Sequence, residues 1–331
     1  MNSGSEDRKI EATSDADAAK RRFGHPVSGI RSSAFLRHED RIIRLGLLLL
    51  ALTAIASLAV ITFYIFREGL PLILKIGLKQ FVGSSDWRPT EGHYGIFPMI
   101  IGSLAVTGGA MIIGVALGLA CAIVLTQFCP PKLVAIIKPA IELLAGIPSV
   151  VYGFMGLVLL VPFIRDYIGG PGLSILAASV VLGIMVLPTV TSISVDALRA
   201  VPRSYIEGSI ALGATRWQTT HQVVLKAARS GILAAIILGM GRAVGETMAV
   251  IMVAGNMSAL PDSILDPVRT LTSNIALEMS YASDEPMNGM TSVSHQKALF
   301  ATGVTLFVII MILNSVALAI SARGARRRTK R

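Results

Sequence analysis

Charged residues are scarce in this chain. Only 15% of its 331 residues are Asp, Glu, Lys or Arg, whereas 53% are apolar; a soluble domain carries roughly 25% charged residues. This shortage excludes an ordinary soluble domain, and long apolar runs occupy the stretches from which charge is missing. We therefore predict an all-α, polytopic membrane protein.

Groups that commonly hold metals, disulfides or nucleotides are also missing. The two cysteines, Cys121 and Cys129, have no ligand spacing, and the five histidines are scattered. No G-x-x-x-x-G-K-[ST] loop occurs, which excludes ATP binding in the P-loop manner. No nucleophile lies beside a base at a recognisable spacing. We expect no metal, no cofactor and no catalytic residue, and hence a protein that is not an enzyme.

The net charge of +10 is concentrated in segments that flank the apolar runs, so membrane topology explains it better than binding to nucleic acid. With the N-terminus inside, the inside segments contain 20 Lys and Arg and the outside segments contain 7. The inside excess persists when the long N-terminal tail is left out. We expect a multi-pass protein of the cytoplasmic membrane with both termini in the cytoplasm.

Six transmembrane spans are predicted. The polar composition of residues 1–41 is typical of a disordered tail. No cleavable signal peptide is apparent, so residues 42–66 form a signal anchor and the first span. An extracytoplasmic loop, 67–96, precedes the transmembrane domain at 97–321, and a basic cytoplasmic tail occupies 322–331. The five further spans are Phe97–Leu125, Val134–Phe163, Leu173–Val195, Gly231–Val253 and Ala298–Ser321.

The third span is the least regular, since it contains Pro139, Glu142 and Pro148. Proline removes a backbone donor and kinks a helix, so a kink or a break is expected. Interrupted helices often line transport pathways, but a packing kink is the commoner fate of a membrane proline. Two G-x-x-x-G spacings, 114–118 and 241–245, fit close helix packing, although glycine-rich spans also produce them by chance.

Two charges lie inside the fifth span. Arg242 and Glu246 are four residues apart, so a continuous helix would place them on one face with Cβ atoms roughly 5–6 Å apart. Each charge near the bilayer centre costs about 2.5–3.5 kcal/mol on insertion scales. That cost indicates either a transport pathway or an internal ion pair that only fixes packing, and the residues alone do not separate these interpretations.

The inside loop, 196–230, has helical character outside the membrane. Ser204 and Glu207 have the spacing of a capping box, which predicts a helix after Pro202. Gly213 allows a sharp turn. Apolar residues on this helix indicate either a docking surface for a cytoplasmic protein or a helix that lies on the bilayer.

The loop also contains the pattern E-G-S-x-x-x-G, from Glu207 to Gly213, followed by V-x-L from Val223 to Leu225. In this pattern it resembles the cytoplasmic loop of ABC importer permeases, whose coupling helices insert into a groove of the ATPase subunit. The family's loop begins E-A-A, has a glycine four positions after the second alanine, and ends I-x-L-P. Here Lys226 replaces that proline, which puts the bend after the loop in doubt. The resemblance implies ATPase coupling by Tyr205, Ile206, Glu207, Gly208, Ser209, Gly213, Arg216 and Leu225.

Four further blocks resemble the PstC family of phosphate-specific permeases. They are 141–157, 241–256, 270–279 and 298–314, and the Met-Ala-Val after Gly-Glu-Thr favours PstC over its sister subunit PstA. The resemblance covers about 42–321. It implies a MetI-like fold of six transmembrane helices that works with a PstA-like permease subunit, a PstB-like ATPase dimer and a PstS-like extracytoplasmic phosphate-binding protein.

Because phosphate is an anion, its pathway needs hydrogen-bond donors and positive potential, which the planar Arg fork supplies. We expect Arg242, Glu246, Thr247 and Glu142 in the substrate pathway. Thr247 would supply a hydroxyl, and Glu246 either neutralises Arg242 while the path is empty or only fixes its rotamer. Glu142 either pairs with Arg242 across helices or lies near the cytoplasmic end of its span.

Aromatic residues mark the outside segments, with Trp87 and Tyr94 in 67–96 and Tyr281 in 254–297. They fit either a docking surface for the binding protein or an interfacial aromatic belt. Three alternative functions stay open: a permease for molybdate or sulfate, the PstA-type subunit of the same transporter, and a membrane sensor that reports phosphate status.

Overall fold

A computed structural model of the protein describes residues 33–282 and 294–326. The disorder predicted for the tail falls largely outside the described residues. Within them, helices and a single two-stranded sheet are joined by irregular segments. The predicted all-α class is confirmed.

The helices follow one another through the whole described chain. After α1 (Ser33–Ile76) and α2 (Leu78–Gly83), a small antiparallel sheet pairs β1 (Trp87–Arg88) with β2 (His93–Tyr94) around a 3-10 turn. The remaining helices are α3 (Phe97–Ile123), α4 (Pro131–Gly146), α5 (Ser149–Met155), α6 (Val161–Phe163), α7 (Ile175–Arg199), α8 (Arg203–Ala211), α9 (Arg216–Thr219), α10 (Leu225–Ala227), α11 (Arg229–Gly245), α12 (Met248–Val253), α13 (Leu271–Glu278) and α14 (His295–Arg326).

Single π-helical turns extend or join several of these helices, so that some spans continue across more than one element. These turns are Val124–Phe128, Gly156–Leu160, Ile164–Ile168 and Thr220–Val224.

Five helical segments of the described chain are long and apolar enough to cross a membrane. A sixth is reached if the pair Arg216–Ala227 and Arg229–Gly245, which bends by 70°, is counted as one span. The five are Ile43–Ile76, Phe97–Phe128, Ser149–Ile168, Ile175–Arg199 and His295–Ala319.

The first helix is longer than the apolar run that predicted it. It begins at Ser33 and ends at Ile76, so it takes in the start of the predicted loop 67–96. A helix does not have to end where the membrane does, and Arg67 and Glu68 are both good helix formers. The part up to Thr62 is a unit of its own, and its large apolar side chains are exposed, as a lipid-facing span requires.

The predicted third span, 134–163, is divided in two. The chain leaves the helix at Ile147, and Pro148 precedes a new helix, so α4 is separate and the membrane-spanning segment is Ser149–Ile168. The predicted kink is therefore a full break. Proline explains it, because its ring forces the preceding residue out of the helical region.

The predicted fifth span, 231–253, is also interrupted, which the sequence analysis did not anticipate. Helix α11 ends at Gly245, Glu246 has extended backbone with φ −71° and ψ 125°, and α12 begins at Met248. Glycine is a poor helix former, but no proline marks this position.

Small residues bring α3 and α7 into close contact. A Cβ on Gly114 would lie 2.8 Å from the Gly183 carbonyl oxygen, and one on Gly118 would lie 3.0 Å from Val190. The first G-x-x-x-G spacing is thus a packing motif, as small residues are in membranes generally. The second, 241–245, has no described atom within 4 Å of either added Cβ, so it packs against nothing in this part of the chain.

Three buried apolar clusters hold residues 63–326 together. A central cluster joins α3, α5, α7 and α12. A second joins the end of α1 and the sheet to the starts of α3 and α14. The third joins the end of α3 and the end of α7 to the start of α11, next to the loop 196–230. The second and third clusters define the sheet end and the loop end of this body.

Candidate functional site

The interrupted fifth span carries the predicted pathway charges. Arg242 lies in the last turn of α11, and Glu246 lies beyond the end of that helix. The expectation that the two share a helix face is wrong, because the helix ends between them. Within the described residues the Arg242 side chain is exposed and forms no hydrogen bond or ion pair.

Glu246 instead stabilises the start of α12. Its Oε1 accepts a hydrogen bond from the backbone N–H of Ala249 at 3.3 Å. The first turn of a helix has free N–H groups and favours negative charge. Thr272 donates to the Glu246 carbonyl at 3.3 Å, and the Thr247 hydroxyl donates to the Gly245 carbonyl at 3.3 Å. Side chains thus satisfy the backbone groups that the break exposes.

The two interrupted spans lie side by side. A Cβ on Gly153 of α5 would be 2.9 Å from Cα of Ala249 on α12, so glycine is required for this approach. Tyr152 bridges the first break, since its hydroxyl donates to the Leu144 carbonyl at 2.8 Å. Arg242 interacts electrostatically with the phenol of Tyr152. One cation thus lies just before the second break in the chain and interacts with a residue that bridges the first.

Glu142 does not pair with Arg242. Its Oε1 lies 3.8 Å from Nζ of Lys138, one turn earlier on α4, and the Glu142 side chain is 54% exposed. It also lines a cavity at the loop end, together with Arg199 and Arg203. Of the two positions expected for Glu142, the structure favours the one near the loop.

The loop 196–230 presents an exposed apolar surface. No residue of α8 is buried, and several large apolar side chains of α8 and its surroundings are exposed: Tyr205 by 56%, Ile210 by 48%, Leu212 by 90% and Trp217 by 59%. Ile206 and Leu225 face the other way and pack against the loop-end cluster. One face thus attaches the helix to the body while the other is free for a partner.

The capping box of this loop is at a different position from the predicted one. The helix after Pro202 is present, but Ser204 does not cap it. The capping box is at Thr215 and Gln218, which starts α9. Gly213 has φ +84°, the left-handed conformation that glycine tolerates, so the predicted sharp turn is confirmed. The other expected coupling residues, Glu207, Gly208 and Arg216, are exposed, and Ser209 is held by a 2.9 Å hydrogen bond to Thr219.

The bend after the loop persists without the family's proline. Helix α10 ends at Ala227 and α11 begins at Arg229, and the two segments differ in direction by 70°. Ala228 between them is buried in the loop-end cluster. Tertiary packing therefore produces the turn that Lys226 put in doubt.

A buried ionic cluster at the sheet end escaped the sequence analysis. Glu278 on α13 accepts hydrogen bonds from Trp87 Nε1 at 2.9 and 3.0 Å, Arg269 at 2.7 Å and His295 Nε2 at 2.8 Å. The Glu278 and His295 side chains are only 7% and 5% exposed. Arg269 also donates to the Asn256 carbonyl at 2.9 Å. The sequence offered one signal for this cluster: Glu278 is the only acidic residue in the apolar block 270–279.

This cluster settles the role of two aromatic residues. Trp87 and Tyr94 are each 6% exposed and contact each other edge to face, so neither forms a docking surface or an interfacial belt. Burial raises the pKa of Tyr94. Tyr281 remains 64% exposed and beside His295, and its pKa is raised mainly by desolvation. Just before β1, a hydrogen bond from Arg88 lowers the pKa of the Asp86 carboxyl.

No group of three or more His, Cys, Asp or Glu side chains with metal-binding geometry occurs within residues 33–282 and 294–326. Arg242, Tyr152 and Thr247 supply a guanidinium and two hydroxyls at the two breaks. Such groups suit the reversible binding of an anion.

The sequence is similar to a family of known transport proteins. The family model described as "Binding-protein-dependent transport system inner membrane component" matches residues 114–330. A probable ABC transporter permease protein of Bacillus subtilis, YqgH, is 43% identical over 270 residues, which are 80% of this chain and 87% of that protein. The phosphate transport system permease protein PstC of Mesorhizobium japonicum is 34% identical over 258 residues, 72% of this chain and 76% of its own.

Solved structures share the fold at low sequence identity. A bacterial ABC transporter that imports the acidic polysaccharide alginate aligns with a TM-score of 0.59 and 16% identity, over 87% of this chain and 99% of that one. The MetNI methionine ABC transporter, in an inward-facing conformation, aligns with a TM-score of 0.53 and 20% identity, over 69% and 95%. Both indicate a MetI-like arrangement of helices.

Proposed function

The chain belongs to the binding-protein-dependent transport system inner membrane components, the non-catalytic permease subunits of ABC importers, and we propose that the substrate it carries is inorganic phosphate. The observation that carries this proposal is the unpaired Arg242 at the junction of two interrupted spans. The similarity to PstC proteins supports it.

A cation is kept in an apolar span only where it has a function or a partner. Arg242 has no ion-pair partner among the described residues, and its planar fork matches two oxygens of a tetrahedral oxyanion. Arg242 lies in the last turn before a helix break, and transporters typically bind their substrate near the midplane at such broken helices. The Thr247 hydroxyl lies on the same break and can turn to the anion.

Glu246 acts in this proposal as the residue that fixes the break. Its contact with the Ala249 N–H holds the start of α12, and α12 packs on α5 across Gly153. The pathway that we propose does not include Glu142, because its carboxylate lies beside Lys138 at the loop end and not beside Arg242.

Transport would be driven by a partner ATPase. The exposed face of α8, with Tyr205 and Leu212, is the surface on which an ATPase dimer would act, and the 70° bend at Ala228 transmits its movement to α11 and thus to Arg242. A PstA-like second permease would complete the pathway. A PstS-like binding protein would deliver phosphate at the sheet end, where Tyr281 is exposed.

Replacement of Arg242 tests the proposal. We expect Arg242→Ala and Arg242→Gln to lower phosphate uptake by at least about tenfold, because a charge-assisted hydrogen bond is worth roughly 1.5–3 kcal/mol. Arg242→Lys should keep a fraction of the activity, since it retains the charge without the fork. Uptake of labelled phosphate into vesicles that contain the assembled transporter measures this.

Arg165→Gln is the matched control, because Arg165 is an exposed cation paired with its neighbour Asp166; its uptake should equal that of the wild type. Uptake is also measured with excess sulfate or molybdate. Wild-type uptake by Arg242→Ala would refute the pathway role. Loss of phosphate uptake in the presence of molybdate or sulfate would instead assign the permease to another oxyanion.

A further inference from the structure

A second basic site lies at the loop end, on α4, α7 and α8. A cavity of roughly 730 Å³ opens between α4, the end of α7 and the start of α8. Three cations and one acid line it: Lys138, Arg199, Arg203 and Glu142. Its volume is in the range of small-molecule sites in proteins.

The cations of this cavity are not neutralised by the chain itself. Lys138 is 3.8 Å from the Glu142 carboxylate, a loose pair whose side chains are 33% and 54% exposed. Neither the Arg199 nor the Arg203 side chain forms a hydrogen bond or ion pair with any described residue. The lining therefore keeps a net charge of about +2. Its two guanidinium groups, those of Arg199 and Arg203, have no hydrogen-bond acceptor among the described residues.

The position of the two arginines concentrates this charge. Arg199 is the last residue of α7 and Arg203 the first of α8, and the corner between them brings them to one cavity although they belong to different helices. No side chain caps the N-terminus of α8, so the helix adds its own positive end beside Arg203.

Apolar side chains also line the cavity. They include Leu125, which belongs to the loop-end cluster, and Val134, which lies one turn before Lys138 on α4. A small inorganic anion needs only the cations, whereas a phospholipid needs both a basic rim and an apolar wall. Basic pockets between transmembrane helices on the cytoplasmic side are known binding places for anionic lipid headgroups.

We propose that this cavity, referred to below as the loop-end cavity, binds a phosphate group, supplied either by the headgroup of an anionic phospholipid or by free phosphate. The cytoplasmic position of this cavity rests on the predicted orientation of the chain. The binding itself does not, because the cavity is independent of Arg242 and of the transported substrate. A ligand held there would contact both α4 and the first residue of the loop helix.

The test uses the transporter purified with its partner subunits. In the lipid arm, the delipidated complex is mixed with phosphatidylglycerol or phosphatidylcholine, and retained lipid is counted by native mass spectrometry. In the phosphate arm, equilibrium binding of labelled phosphate is measured in the Arg242→Ala background, which removes binding in the pathway. We expect saturable binding in at least one arm, with phosphatidylglycerol preferred to phosphatidylcholine if the lipid arm is positive.

Variants locate the binding. Lys138→Gln combined with Arg199→Gln should weaken it by roughly tenfold or more, and Arg199→Lys should largely retain it. Lys132→Gln is the matched control, because Lys132 is an exposed cation on the same helix that does not line the cavity; it should change binding by less than about twofold.

Each outcome decides the proposal. Binding in the lipid arm alone assigns the headgroup, and binding in the phosphate arm alone assigns the free anion. No saturable binding in either arm, or binding that the double variant leaves unchanged, overturns it. If the double variant does not assemble, the wild type decides, since occupancy must fall as salt is raised from 0.1 to about 0.5 M. An absence of binding in the loop-end cavity would not change the expected uptake of the Arg242 variants. The two proposals can therefore be refuted separately.

Discussion

At the sheet end, the Glu278 carboxylate accepts hydrogen bonds from three side chains that come from separate parts of the chain. Trp87 lies in β1, Arg269 precedes α13, and His295 is the first residue of α14. A buried carboxylate is costly unless its partners are present. One residue therefore ties the sheet, α13 and the last span together.

Glu278→Gln should destabilise the protein by roughly 2–3 kcal/mol, less than a fully buried pair because Arg269 is 19% exposed. The amide cannot accept from all three donors, and its own NH₂ group would face one of them. Chemical denaturation of the purified protein measures this. Glu91→Gln is the control: it removes a partner of the exposed Arg88 and should leave the midpoint unchanged. Equal midpoints for both variants would contradict the hub role of Glu278.

Glu246 allows its two proposed roles to be separated. If it acts by accepting the Ala249 N–H, Glu246→Gln should keep most phosphate uptake, because the amide oxygen still accepts, whereas Glu246→Ala should lose it. If its charge balances Arg242, both variants should lose uptake. We expect the first pattern, since the helix end separates the two residues. Comparable losses in Gln and Ala, with normal assembly, would show that the charge is what matters.

Among the elements, the short helices of the loop 196–230 carry the proposed coupling to the ATPase. Gly213 ends α8 with φ +84°, where a Cβ costs about 1–2 kcal/mol. Gly213→Pro cannot adopt this backbone. It should insert normally into the membrane but lower phosphate uptake by at least about tenfold, because the exposed face of α8 would be misdirected.

Gly208→Ala is the control for this change. Gly208 lies inside α8 with no described atom within 4 Å of an added Cβ, and the resembling family has alanine there, so uptake should stay near the wild-type value. Membrane content, ATPase co-purification and uptake are measured for both variants. Full uptake and full ATPase association in Gly213→Pro would remove the coupling role of the loop.

The interrupted spans show how far element prediction reaches. Pro148 predicted the break between α4 and α5, because proline disfavours the helical conformation of the residue before it. The break at Glu246 had no such local signal. It is stabilised by Thr272, which is distant in sequence, and by packing of α12 on α5. Local sequence cannot report a contact made by another segment.

For the whole molecule, charge asymmetry predicts the orientation. From the basic segments that flank the spans we expect both termini and the loop 196–230 on the cytoplasmic side. Fusions of a fluorescent reporter that matures only in the cytoplasm should be bright after residue 331 and within 196–230. Fusions of alkaline phosphatase, active only outside, should be active within 67–96 and 254–282. The reverse pattern at either terminus would overturn the topology.

The sequence by itself determined the class of the protein. Apolar runs of span length, few charges and basic flanks follow from the cost of placing polar groups in lipid, and that cost acts on each segment separately. The loop around Glu207 and the block around Arg242 also indicated the importer family. Each of these motifs is contiguous in the sequence, so it can be recognised without the fold.

Only the tertiary structure decided which residues meet. It separated Arg242 from Glu246 by ending α11, paired Glu142 with Lys138, buried Trp87 on Glu278, and joined Arg199 and Arg203 in one cavity. These relations depend on contacts between distant segments and on where helices end. Their energies come from packing and hydrogen bonding that a linear pattern does not contain.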